Sequence, residues 1–83
     1  MYTIAFEKEA SKEFLKINPD DQIRIKNKIH DLEQGIFTHD KALKGKHQGK
    51  FRKRAGNYRI IYLKENNVLA IILIRIAHRK EVY

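Results

Sequence analysis

The 83-residue sequence contains no cysteine, no tryptophan and only one proline. Without thiols the chain can form neither disulfides nor thiolate metal sites, and it has no cysteine nucleophile. Its longest apolar run, residues 68–74, is far shorter than the ~20 residues that cross a bilayer. Glu7 and Glu9 fall where a signal peptide would need an apolar stretch. We therefore expect one cytoplasmic domain that spans residues 1–83.

Acidic residues are scarce in the second half of the chain. Residues 1–42 carry seven basic and eight acidic side chains, whereas residues 43–83 carry eleven basic and two acidic ones. Between positions 41 and 59 lie eight basic side chains and no carboxylate: Lys41, Lys44, Lys46, Lys50, Arg52, Lys53, Arg54 and Arg59. Basic residues that merely solvate a surface would be interspersed with acids. The run instead predicts a surface that attracts polyanions, of which nucleic acid is the commonest in the cytoplasm.

Hydrophobic periodicity predicts an α+β fold. The expected elements are a strand at 2–6, helices at 7–17 and 19–34, a polar connector at 36–48, and strands at 49–54, 58–64 and 68–77. Asn18 followed by Pro19 is a typical helix start, and Gly35 is typical of a helix end. The order indicates an N-terminal strand, an αα-hairpin and then three antiparallel strands, which form a small twisted sheet packed on the helices.

The predicted strand register gathers the basic residues on one face of the sheet. A two-residue turn at Gly56-Asn57 would pair Arg54 with Arg59. Because side chains alternate between faces, one face would then carry Lys50, Arg52, Arg54 and Arg59, with Ile61 and Leu63 as an apolar patch farther along. A tight turn at Asn66-Asn67 would place Arg59 opposite Ile74 and bring the segments 50–59 and 75–83 together.

Such a cationic cluster is suited to phosphodiester cleavage in RNA. RNA supplies its own nucleophile, the 2′-OH, so the protein has to hold the phosphate, neutralise the transition state and move two protons. Guanidinium groups bind phosphate oxygens in pairs. Histidine is a suitable proton-transfer group near neutral pH, which makes His78 a candidate, whereas Lys50 could act as a base only if neighbouring cations favoured its neutral amine. A phosphate-binding surface without catalysis remains the alternative.

The residues of the basic run also resemble a known family. Segment 49–62, GKFRKRAGNYRIIY, segment 77–83, AHRKEVY, and Leu43-Lys44-Gly45 are similar to the RelE/ParE toxin superfamily over essentially the whole chain. The resemblance implies the toxin of a type II toxin–antitoxin pair, one that enters the ribosomal A site and cuts mRNA without metal. It implies a RelB-like antitoxin, the ribosome and mRNA as partners, with no membrane and no small-molecule cofactor.

The resemblance also implies roles for individual residues. The implied catalytic set is Lys50 and Arg52 on the second strand, the phosphate-binding Arg59, His78, Arg79 at the leaving group, and Tyr83 at the substrate. Further RNA contacts are expected from Lys44, Lys46, Lys53 and Arg54. The four histidines have no spacing typical of ligands, so no metal is expected. Two other functions stay open: a ParE-like toxin that poisons DNA gyrase, and an inactive module that binds RNA or an antitoxin.

Overall fold

The computed structural model describes residues 1–80, so that the predicted Tyr83 lies outside the described residues. The elements are β1 (Thr3–Phe6), α1 (Lys8–Leu15), α2 (Pro19–Glu33), β2 (Lys41–Ala42), a 3-10 turn (Gly45–His47), β3 (Phe51–Ala55), β4 (Tyr58–Glu65) and β5 (Ala70–His78). The predicted α+β order of strand, helical hairpin and strands is confirmed. No helix among the described residues is long and apolar enough to cross a membrane.

The strands form one five-stranded sheet in the order β1-β5-β4-β3-β2. β1 runs parallel to β5, and every other neighbouring pair is antiparallel. The near-continuously apolar β5 therefore lies between two partners, as the run of isoleucines predicts. The prediction missed β2 inside the connector at 36–48, because two residues are too few to show an alternating pattern.

The ends of α2 follow the sequence signals. The side-chain oxygen of Asn18 accepts a hydrogen bond from the backbone N–H of Asp21 at 3.0 Å, and proline occupies the first helical turn. Gly35 adopts a left-handed φ of 78°, and the N–H of Ile36 donates to the carbonyl oxygen of Asp31 at 2.8 Å. This pattern of hydrogen bonds satisfies the last carbonyl groups of the helix.

The hydrophobic core lies between the helices and one face of the sheet. Its fully buried members are Ala10, Ile25 and Leu32 from the helices and Ala55, Ile60, Tyr62, Ile71, Leu73 and Ile76 from the strands, with Ile17 at the helix turn. Strand residues of the opposite parity point away from the helices. We call that second surface the open face, and it carries the basic residues described below.

The register of β4 against β5 differs from the prediction. The connecting loop has four residues, 66–69, and a bulge between Ile61 and Tyr62 leaves Ile74 without a ladder partner. Arg59 therefore lies opposite Ala77, and the prediction that it faces Ile74 is wrong. The bulge adds one residue to β5 and so shifts the alternation of its side chains. Beyond the bulge, Arg75 and Ala77 pair with open-face residues of β4, whereas Ile76 and His78 pair with residues on the helix side.

Candidate functional site

Four arginines meet at one end of the open face. Arg52 and Arg54 come from β3, and Arg59 of β4 is the cross-strand partner of Arg54, as the sequence predicts. The backbone N–H of Arg79 donates to the carbonyl oxygen of Asn57 at 2.7 Å, which fixes the end of β5 beside the β3–β4 turn. The structure thus brings the two remote segments of the chain together.

Arg59 lies at the centre of this group. Its pKa is lowered, first by partial burial and then by the charges of Arg52, Arg54 and Arg79. The guanidinium stays protonated at neutral pH, and the direction of the shift reflects its burial together with like-charge crowding. Within residues 1–80 none of the four arginines forms an ion pair with a carboxylate. The cluster is therefore strongly cationic, and no carboxylate of residues 1–80 neutralises it.

The loop before β3 adds a second group of cations. Lys50, half-buried, donates its backbone N–H to the carbonyl oxygen of His47 at 3.1 Å. Burial lowers the pKa of His47, and the charges of Lys50, Lys46 and Arg75 lower it further. The imidazole is therefore mostly neutral at pH 7. His47 was not among the residues predicted from the sequence, although its place inside the acid-free run was the available signal.

Lys53 does not belong to the site, which corrects the sequence-based assignment. It alternates with Arg52 and Arg54 and therefore points to the helix side of the sheet. The residue is 4% exposed, and its Nζ lies 2.9 Å from Oδ1 of Asp40. A buried, paired ammonium group is not available to RNA.

His78 also lies apart from the arginines. It is the cross-strand partner of Tyr58, whose ring it meets edge-on at 5.2 Å, and it lines a pocket on the helix side with Glu9 and Glu13. The bulge in β5 is the physical reason, because without it His78 would share a face with Arg59. The predicted grouping of these two residues is therefore corrected.

The remaining predicted residues are exposed on the connecting loop. Lys44 precedes the 3-10 turn, and Lys46 lies within it beside His47. Both side chains are solvent-accessible and extend the positive surface next to Lys50. The described part of the chain thus gathers Arg52, Arg54, Arg59 and Arg79 in one cluster, with Lys44, Lys46 and Lys50 on the adjoining loop.

Comparison with known proteins gives one family match. The family described as "ParE toxin of type II toxin-antitoxin system, parDE" matches residues 4–83. A search of curated protein sequences found no match.

Solved structures of several toxins have the same fold. The toxin–antitoxin complex RelBE2 from Mycobacterium tuberculosis contains a chain that is 25% identical, with a TM-score of 0.84 over 94% of this chain and 98% of that one. The archaeal RelE–RelB complex from Pyrococcus horikoshii OT3 gives 21% identity and a TM-score of 0.80, with 94% of each chain covered. The isolated E. coli RelE toxin gives 17% identity and 0.79, over 94% of this chain and 84% of that one. The resemblance in shape therefore extends over nearly the whole molecule.

Proposed function

This chain belongs to the family of ParE toxins of type II toxin–antitoxin systems, within the RelE/ParE superfamily, and we propose that it is a ribosome-dependent endoribonuclease that cuts mRNA in the A site. The observation that carries the proposal is the cluster of Arg52, Arg54, Arg59 and Arg79 without a carboxylate partner among residues 1–80. Toxins that only bind a protein target have no need of an unneutralised phosphate site.

The proposed reaction is an in-line displacement at phosphorus. The 2′-oxygen of the RNA attacks the adjacent phosphate, the bond from phosphorus to the 5′-oxygen breaks, and the products are a 2′,3′-cyclic phosphate and a 5′-hydroxyl. Arg52 and Arg59 hold the non-bridging oxygens, on which negative charge accumulates in the transition state. Arg79, at the end of β5, stabilises the departing 5′-oxygen. No metal ion is needed in this scheme, because guanidinium groups supply the positive charge.

Proton transfer falls to the loop beside β3, since His78 points to the helix side. Both imidazole nitrogens of His47 are buried, so the group we propose as the base is the amine of half-buried Lys50, which in its neutral form accepts the proton of the 2′-OH. The departing 5′-oxygen takes its proton from solvent.

The test uses purified protein and ribosomes programmed with a defined mRNA. The parent chain should cut within the A-site codon, and the double variant Lys50→Ala/Arg59→Ala should lose cleavage while its circular dichroism spectrum is retained. Lys28→Ala, an exposed lysine on α2, is the matched control and should cut as the parent does. Normal cleavage by the double variant would contradict the assignment of this site. If the parent chain leaves the mRNA uncut, the proposed endoribonuclease activity is wrong.

A ParE-like gyrase poison is the second candidate, and the family match with ParE toxins favours it. Induction of such a toxin should produce gyrase-dependent DNA breaks and leave transcripts intact, the opposite of what an endoribonuclease produces. In both cases we propose a RelB-like antitoxin as the partner, because the M. tuberculosis and P. horikoshii structures are toxin–antitoxin complexes. Tight, salt-sensitive RNA binding without a cut product would instead identify an inactive binding module.

A further inference from the structure

The edge strand β2 adds a lysine to the open face. β2 has only two ladder pairs with β3, Lys41 with Arg52 and Ala42 with Phe51. Cross-strand partners point to the same side of a sheet, so Lys41 lies beside Arg52 and is solvent-exposed. It extends the row of cations one strand beyond the arginine cluster.

The N–H of Leu43 continues this pairing by donating to the carbonyl oxygen of Lys50 at 2.9 Å, and a buried carboxylate provides a further anchor for β2. Asp40, immediately before Lys41, points the opposite way into the helix side. Its side chain is 4% exposed, and Oδ1 lies 2.9 Å from Nζ of Lys53. Oδ2 accepts a hydrogen bond from the hydroxyl of Tyr62, and Tyr62 is a fully buried residue. A charge held by two buried partners on neighbouring strands fixes the backbone that carries it.

The surroundings of Asp40 are themselves rigid. The ring of Tyr62 stacks between Phe37 and Phe51, with centroids 6.2 Å and 5.7 Å away. Lys64 lies over both phenylalanine rings at 4.3 Å and 4.6 Å. Burial and the neighbouring carboxylate raise the pKa of Tyr62, so its hydroxyl stays protonated and remains a donor. The position of the Asp40 carboxylate is therefore set by the core rather than by the loop.

From this geometry we propose that Lys41 is a further RNA-contacting residue, which holds a phosphate next to the one bound by Arg52 and Arg59, and that buried Asp40 is its positioning residue. Successive side chains of an extended chain point to opposite faces, which links anchoring to RNA contact. Asp40 faces inward to Lys53, and Lys41 consequently faces outward beside Arg52. The inference rests on the proposed endoribonuclease function, because a phosphate chain is the ligand that such a row of cations recognises.

The experiment measures single-turnover cleavage on programmed ribosomes over a range of protein concentrations. Lys41→Ala should raise the concentration for half-maximal rate about five- to tenfold and leave the maximal rate within about twofold, since the contact lies away from the scissile phosphate. Lys41→Arg keeps the charge and should restore the parent value. Lys28→Ala on α2 should leave both parameters unchanged. An unchanged half-maximal concentration in Lys41→Ala, with a parent that cuts, would overturn the inference while the proposed function stands.

The positioning role is tested by coupling. Asp40→Asn keeps the shape and should raise the half-maximal concentration as Lys41→Ala does, and the double variant should lose no more than Lys41→Ala alone. Tyr62→Phe removes one anchor and should give a smaller rise, which provides a readout if Asp40→Asn does not fold. Losses that multiply in the double variant would contradict positioning through Lys41. If the parent protein leaves the mRNA uncut, the proposed endoribonuclease function is wrong. The other outcomes test only the roles of Lys41 and Asp40.

Discussion

The two faces of the sheet are built from the same strands and treat charge in opposite ways. On the helix side the single lysine of β3, Lys53, is buried and bonded to Asp40. On the open face its neighbours Arg52 and Arg54 have no carboxylate partner among residues 1–80. Within β3, therefore, the charge that is buried is paired, and the two charges without a carboxylate partner lie where a ligand can reach them.

The apolar residues of the two faces differ in what covers them. Ile60 and Ile61 are neighbours on β4, with 0% and 1% exposure. Ile60 belongs to the core cluster under the helices, whereas Ile61 has Arg52 and Arg75 as cross-strand neighbours. The aliphatic stems of long basic side chains can cover such a residue while their heads stay in water. Burial on the open face therefore depends on long basic side chains rather than on packed helices, and of these two Arg75 is held by its ion pair with Glu13.

The largest expected effect comes from breaking the inner ion pair. Lys53→Ala would leave Asp40 as a buried charge with only the hydroxyl of Tyr62, and should lower the free energy of unfolding by about 3–5 kcal/mol. Lys50→Ala makes the same change at an outward-facing position and should stay within about 0.5 kcal/mol of the parent. Urea denaturation of both variants measures the difference, and equal losses would contradict the contrast between the faces.

An intermediate effect should separate the two isoleucines. Ile60→Ala leaves a cavity under the rigid helices and should cost about 3–4 kcal/mol, near the middle of the range for such truncations. Ile61→Ala should cost about 1–2 kcal/mol less, because the stem of Arg52 can close over the space, whereas Arg75 stays bonded to Glu13. The same denaturation experiment decides, and a loss at Ile61 equal to that at Ile60 would show that the open face is packed as tightly as the core.

Much of this contrast could be predicted from local sequence. The two-residue turn at Gly56-Asn57 fixes the register of β3 against β4, so the pairing of Arg54 with Arg59 followed from turn chemistry alone. The capping residues Asn18 and Gly35 likewise marked the ends of α2. These features depend on residues close together in the chain, for which propensity and hydrogen bonding decide the structure.

The features that were missed depend on contacts between remote residues. The bulge at Ile74, which turns His78 to the helix side, carries no glycine or other local signal inside the apolar run of β5. The pairing of Lys53 with Asp40 joins residues 13 positions apart through a two-residue strand that has no pattern of its own. Charge density predicted where the cations are, but only the fold determines which of them face outward.

The smallest expected effect concerns the crowding on the open face. The pKa of Arg59 is lowered first by burial and then by repulsion from Arg52, Arg54 and Arg79, and removing one of these repelling charges should stabilise the folded state. Arg54→Gln, at an exposed position, should raise the free energy of unfolding by a few tenths of a kcal/mol at low salt, and the gain should vanish near 0.5 M salt, where screening acts within about 4 Å. Lys28→Gln is the matched control, because Lys28 lies 4.0 Å from Asp31 and should give no gain. Destabilisation by Arg54→Gln at low salt would mean that the outer arginines stabilise the fold, and the division between a stabilising inner face and a ligand-binding outer face would have to be abandoned.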